Sequence, residues 1–238
     1  FESGLNLING DIDLCLQFNG EKPKKVLKKI ARMLNEDGMD NVKLITTAKV
    51  PIVKFIDSQS KIPVDISINN SLAVHNTELL RRYSSIDSRV KPFIISIKYW
   101  ARNRGISDAS MGTFSSYAWT LIAINYLQSL EMEVLPNVLK KDGSQTVEID
   151  GTKYDIGMYS DNELDFVSQN QSSTGELVSG FFESLAKHWP WNNGVISVGS
   201  GKILSRKEKV LDVPLSITEP VLGGSVSPSV VRQRKDKL

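Results

Sequence analysis

Asp11 and Asp13 stand two residues apart in Gly10-Asp11-Ile12-Asp13-Leu14, and Asp65 stands alone among branched aliphatics in Ile62-Pro63-Val64-Asp65-Ile66-Ser67-Ile68. Side chains alternate along a strand, so the first pair projects both carboxylates from one face. With 15 Asp in the chain, one such pair carries little information by itself. The third carboxylate carries more, because an ionised Asp centred among Val and Ile costs stability unless its charge is compensated. If the two strands are neighbours, the three carboxylates share a face and raise one another's pKa unless cations sit among them. Two Mg²⁺ (or Mn²⁺) ions would supply that compensation and clamp the attacking and leaving oxygens of an in-line phosphoryl displacement. The competing reading is three unrelated surface carboxylates.

The elements that must hold these residues are legible from periodicity. Residues 11–18 alternate strictly, with Ile12, Leu14, Leu16 and Phe18 on one face and Asp11, Asp13, Cys15 and Gln17 on the other. Val26, Leu27, Ile30, Met33 and Leu34 recur at helical spacing within residues 22–35, and the lysines on the other side read as a solvated face. Residues 42–47, 50–56 and 62–68 predict three Val- and Ile-rich strands, with Asp57-Ser58-Gln59-Ser60 as the turn between the last two. Beyond Asn76 the pattern turns helical, over 87–104, 113–130 and 177–187, with a short strand at 194–198. The polar, Gly- and Ser-rich stretch 142–174 predicts a surface insertion of marginal structure. The expected architecture is α/β: a small mixed-sheet domain over 1–72 and a mainly helical one over 73–238.

Bulk properties narrow the functional classes. Net charge is +2, from 29 Lys and Arg against 27 Asp and Glu, which is too balanced to announce a nucleic-acid binder by itself. One cysteine and two histidines leave no Cys or His cage for zinc, and a reducing compartment is expected, the cytoplasm first, with nucleus and mitochondrion as alternatives. The most apolar stretch, 119–130, is interrupted by Thr120, Asn125 and Gln128, and no membrane span is expected.

The motif Gly10-Asp11-Ile12-Asp13-Leu14, preceded by Ser3-Gly4-Leu5 and followed by the lone strand Asp65, resembles the polymerase-beta-type nucleotidyltransferase superfamily. Five further blocks narrow the resemblance to terminal uridylyltransferases and cytoplasmic-type poly(A) polymerases. They are Val50-Pro51-Ile52-Val53-Lys54-Phe55, residues 69–77 (Asn69-Asn70-Ser71 to His75-Asn76-Thr77), Ile97-Lys98-Tyr99-Trp100-Ala101, Gly112-Thr113-Phe114-Ser115-Ser116-Tyr117 and Leu135-Pro136-Asn137. That likeness implies a polymerase-beta-like nucleotidyltransferase domain followed by a helical poly(A)-polymerase-associated domain, with the nucleotide in a cleft between them. It assigns Asp11, Asp13 and Asp65 to the metal ions, with Asp65 also placed to take the proton of an RNA 3′-hydroxyl. Asn70, Asn76 and Thr77 correspond to positions near the ribose. Lys98 and Arg102 match triphosphate-binding cations, and their i, i+4 spacing puts both on one helix face. Ser116 would face the phosphates, and Tyr117 would stack on the incoming base.

The implied reaction is template-independent addition of UMP or AMP, from UTP or ATP, to a single-stranded RNA 3′ end. The family's late base-reading loop is matched best by Ile217-Thr218-Glu219-Pro220-Val221, with Glu219 in place of the usual Asp and no histidine after it, so UTP against ATP stays open. The sequence starts at Phe1 without Met, and the Gly-Ser pair that the family carries just upstream lies outside it; restoring that segment is expected to raise activity. Target choice is expected to depend on protein partners or on regions outside this sequence. A catalytically inactive RNA-binding homologue is the competitor from another class, and transfer to small molecules a further one. The first would be marked by loss of a metal carboxylate, and all three are present.

Overall fold

The computed structural model describes residues 2–8, 10–48, 50–140, 146–149, 152–155, 157–160, 163–189, 194–205, 216–218 and 220. The chain divides into two compact units, Phe1–Glu2 with Asn6–Glu78, and Ser3–Leu5 with Leu79–Leu238.

In the first unit the chain forms β1 (Ile12–Leu16), α1 (Pro23–Glu36), β2 (Asp40–Ile45), β3 (Ile52–Ile56) and β4 (Pro63–Ile68), then enters α2 (Ser71–Ile86). The sheet order is β1-β4-β3-β2, with β1 parallel to β4 and the other pairs antiparallel. A β-strand cannot rejoin its neighbour in parallel through a tight turn, so the chain between β1 and β4 carries α1 and the β2–β3 hairpin. Leu27 and Ala31 of α1 are buried against Val53, Val64, Ile66 and Ile68, with Ile12, Val26, Ile30 and Leu34 packed around them. By alternation, Lys54 and Asp65 point to the opposite face of the sheet. Because β1 is an edge strand, the apolar side chains of its predicted core face are only half covered: Leu14, Leu16 and Phe18 are each 42% exposed. Asn41, in the left-handed region at φ 55°, absorbs a register shift between Asp40 and Lys43 in β2.

The second unit is built on the rest of α2, on α3 (Val90–Asn103), α4 (Ser116–Ser129) and α5 (Thr174–Lys187). Between α4 and α5 lie β5 (Leu139–Lys140), β6 (Thr146–Ile149), β7 (Thr152–Asp155) and β8 (Gly157–Met158); β9 (Gly194–Ser197), β10 (Lys202–Ser205) and β11 (Ser216–Thr218) follow. β5 pairs with β8, β6 with β7, and β9 lies between β10 and β11. The predicted marginal insertion at 142–174 therefore contains strand ladders, and the helical unit carries small sheets as well. α4 is buried on every side from Ala118 to Gln128. The polar residues that interrupt it bond to backbone: Asn125 Nδ2 donates to Ser197 O and Lys202 O, and Gln128 Nε2 donates to Val198 O, Pro136 O and the Tyr83 hydroxyl. They tie the central helix to the β9–β10 hairpin, where apolar side chains would leave those groups unmet. Among the described residues no helix is long and apolar enough to cross a membrane.

Two helices begin where the periodicity did not place them. α2 was not predicted, because its first turns mix Asn, His, Thr and Ser; α5 begins at Thr174, set by a capping box between Ser173 and Glu176. Within α5, Gly180 lets Tyr126 of α4 approach closely. A Cβ at Gly180 would meet the Tyr126 hydroxyl at 2.5 Å, and that ring is held between Phe93 and Phe181. Gly180→Ala is expected to cost about 1–3 kcal/mol despite the better helix propensity of Ala. A urea midpoint equal to or above that of the parent would refute this close-approach account.

Candidate active site

β1 and β4 pair so that Asp13 and Asp65 are direct cross-strand partners. Asp11, one residue before β1, completes the group, and one carboxylate oxygen from each of Asp11, Asp13 and Asp65 lies within 4.8 Å of the others. The two strands are neighbours and the three carboxylates lie together, as the alternation of β1 and the isolated Asp65 lead one to expect. Burial raises the pKa of Asp13 above its ordinary value, and the charges of Asp11 and Asp65 raise it further. All three are hard oxygen donors on a rigid strand pair, a donor set suited to Mg²⁺ or Mn²⁺.

Lys54 lies in the block Val50-Pro51-Ile52-Val53-Lys54-Phe55, and nothing in the sequence alone assigns it a role. In the β3–β4 register it stands opposite Asp65, and its Nζ lies 2.6 Å from Asp65 Oδ2. That bond is the main reason its pKa is raised, and nearby Asp11 and Asp13 add to it. Lys43 stands opposite Lys54 in turn. One row across the sheet therefore reads Asp13, Asp65, Lys54, Lys43: two anions, then two cations. The three carboxylates and the one bonded ammonium keep a net negative charge that a divalent ion can offset. Alternation shows that Lys54 faces away from the apolar core, but only strand register puts it beside Asp65.

The remaining predicted residues fall on helix beginnings and helix faces. Asn70 precedes α2, with its Oδ1 3.4 Å from the amide of Ala73, and so sits as an N-terminal cap. Asn69, at φ 51°, exchanges two hydrogen bonds of 2.7 Å with the backbone of Phe18, tying the end of β4 to the end of β1. Asn76 is in the second turn of α2. Its Oδ1 is buried and accepts no hydrogen bond among the described residues, an arrangement that costs about 1–3 kcal/mol unless a bound donor satisfies it. Thr77 donates its hydroxyl to Ala73 O within the helix, which leaves its oxygen free to accept.

In the second unit, Lys98 and Arg102 lie one turn apart on α3, Lys98 half-buried and Arg102 exposed. Lys98 Nζ donates to Leu5 O at 2.6 Å, and the Ser84 hydroxyl donates to Ser3 O at 2.9 Å, so the 3–5 segment is held at both ends. Ser115 caps α4 by accepting from the amide of Ala118, which places Ser116 and Tyr117 in its first turn, where free amides and the helix dipole favour anions. Tyr117 is half-buried and packs on the apolar core of the unit. Glu219 lies outside the described residues.

Known proteins resemble the chain over most of its length. The family model for the central palm domain of mitochondrial-like poly(A) RNA polymerase matches residues 1–85. The poly(A) RNA polymerase GLD2-A of Xenopus laevis is 36% identical over 195 residues, 79% of this chain and 37% of that protein. The poly(A) RNA polymerase cid11 of Schizosaccharomyces pombe is 34% identical over 212 residues, 87% of this chain and 42% of its own length. The chain thus spans less than half of either relative. Among solved structures, the Cid1 poly(U) polymerase bound to Mg and 3′-dATP superposes with a TM-score of 0.85 at 32% identity, covering 99% of this chain and 75% of that one. Cid1 in complex with its short product ApU superposes at 0.84 with 30% identity, covering 99% and 74%.

Proposed function

The chain belongs to the terminal nucleotidyltransferase family of poly(A) and poly(U) RNA polymerases, and from that premise we propose that it extends RNA 3′ ends with UMP or AMP, without a template. The observation that carries the reading is the convergence of Asp11, Asp13 and Asp65, with oxygens within 4.8 Å of one another. Two Mg²⁺ or Mn²⁺ ions bound there would polarise the 3′-hydroxyl and neutralise charge on the triphosphate. The 3′ oxygen bonds to the α-phosphorus, the bond to the bridging oxygen of the β-phosphate breaks, and pyrophosphate leaves. The hydroxyl proton passes to Asp65 or through it to water.

The chain's other residues supply position. The orphaned Asn76 Oδ1 is an acceptor for a ribose hydroxyl, and Asn70 and Thr77 offer further polar groups on the same helix start. Lys98 and Arg102 hold the triphosphate, aided by Ser116 in the first turn of α4. Tyr117, braced by the core behind it, offers a ring on which a base of either kind can stack. The RNA would be single-stranded, since its 3′ end must enter unpaired, and protein partners are proposed to choose the targets.

The test is incubation of the chain, extended upstream of Phe1 through the Gly-Ser pair, with a short single-stranded RNA, Mg²⁺ and each NTP separately, followed by gel analysis. Extension with UTP or ATP that stops when EDTA removes the metal is the expected result. A folded protein that extends nothing with any NTP would overturn the transferase reading in favour of an RNA-binding homologue.

A further inference from the structure

The lysines of α1 fit poorly with helix stability. Residues 22–35 hold Lys22, Lys24, Lys25, Lys28, Lys29 and Arg32 and no acidic residue, whereas the rest of the chain has 23 Lys and Arg against 27 Asp and Glu. Lys25, Lys28, Lys29 and Arg32 recur at i, i+3, i+4 and i+7, a single stripe, and all are exposed. The pairs Lys24/Lys28, Lys25/Lys29 and Lys28/Arg32 place like charges one turn apart, each costing a few tenths of a kcal/mol. The first turn, at the positive end of the helix dipole, has no acidic residue, and Lys22 at the cap position makes no side-chain capping bond. Glu21 pairs with Lys29 and Glu36 with Arg32; Lys24, Lys25 and Lys28 make no ion pair among the described residues. Charge placed against local stability over a whole helix face calls for a partner that uses it.

We infer that the outer face of α1 is a docking surface for the phosphate backbone of the RNA upstream of its 3′ end. This rests on the proposed function and extends it from the reacting end to the body of the substrate. α1 covers β2, β3 and β4 on the face of the sheet opposite the carboxylates. A strand leaving Asp65 along the Lys54–Lys43 row crosses two strand spacings to the β2 edge and then passes the width of the helix, a path of roughly 20–25 Å. At about 3.4 Å per stacked nucleotide, that is some six or seven nucleotides. RNA shorter than this cannot reach α1, and longer RNA can. A repeating anion suits the stripe because phosphate contacts need charge and spacing but no base sequence.

The experiment compares the chain with a Lys25→Gln/Lys28→Gln/Lys29→Gln variant, chosen because Gln keeps helix propensity at exposed positions. Binding of a 4-nucleotide and a 30-nucleotide single-stranded RNA is followed by fluorescence anisotropy without NTP over a range of salt, with phosphatidylserine vesicles as a further arm. Expected are a Kd for the long RNA weaker by about tenfold, a slope of log K against log salt reduced by about 2, and unchanged binding of the short RNA. An unchanged Kd and slope for the long RNA would overturn the inference. So would a variant that loses only vesicle binding, which would assign the stripe to anionic membrane. Because no NTP is present, the result is independent of catalysis: a chain that extends nothing can still show the stripe, and an active one can still lack it.

Discussion

Asp65→Asn is expected to leave the protein folded, and at least as stable as the parent, while reducing RNA extension by about 10³-fold, or about 4 kcal/mol of barrier. Two opposed effects of the same charge lead to this result. In the folded protein Asp65 faces Asp13 across the β1–β4 ladder, and its charge contributes to the raised pKa of Asp13. Removing one of three crowded carboxylates relieves that repulsion, at the cost of the ion pair with Lys54, whose side chain is 45% exposed and which so contributes little. Asn is isosteric and keeps the strand geometry. What it cannot do is supply a second anionic oxygen to a metal ion or accept a proton. The informative readings are a thermal midpoint at or above the parent's together with lost turnover. Parent-like turnover in Asp65→Asn would remove the carboxylate group from the mechanism altogether.

The second large effect is structural. Arg89 forms two bonds to Asp87, Nε to Oδ1 at 2.9 Å and Nη2 to Oδ2 at 2.7 Å, and its Nη1 donates to the backbone oxygens of Asn170 and Ser172. It thus fastens the segment leading into α5 to the corner between α2 and α3. The same segment is held by Ser168 Oγ donating to Glu133 O and by Asn170 Nδ2 donating to Met132 O. Both side chains of the pair are largely buried, at 19% and 16% exposed. Arg89→Met is therefore expected to cost about 3 kcal/mol, mostly from leaving the Asp87 charge and two carbonyls unmatched. Its pH dependence gives a second check. The hydrogen bonds from Arg89 hold the Asp87 carboxyl below its ordinary pKa, so the stabilisation is present above the unfolded carboxylate's pKa and fades as pH falls through the lower folded value. Urea titrations of parent and variant should differ most near neutral pH, and the gap should narrow in acid to the part carried by the two carbonyl bonds. A gap that stays constant to low pH would show that the clamp acts through packing and the carbonyl bonds, without the Asp87 charge.

Much of the carboxylate cluster was open to inference from sequence, for a simple reason. Strand alternation has a period of two, so Asp11 and Asp13 share a face whatever the fold, and Asp65 is conspicuous because it interrupts Val64, Ile66 and Ile68. The helical stripe of α1 and the apolar run of α4 were equally visible, as were Lys98 and Arg102 one turn apart. α2 was not visible: its start is set by Asn70 and its first turns carry polar residues, so periodicity is weak where tertiary burial of Leu79 and Tyr83 decides. The capping box of Ser173 and Glu176 is present in the sequence, but the polar stretch before it reads as loop.

What the sequence by itself determined is local: which faces are apolar, which carboxylates are neighbours on one strand, and where cations gather. Tertiary structure decided what is adjacent across strands and between elements. Register placed Asp65 beside Asp13 and brought Lys54 to within 2.6 Å of it, though neither separation in sequence suggests the pairing. Packing left Asn76 with a buried oxygen that has no donor among the described residues and turned the interruptions of α4 into ties to the β9–β10 hairpin. Periodicity constrains one element at a time, whereas a site is made from side chains whose meeting depends on strand order and register, and those are fixed by the burial of the whole core.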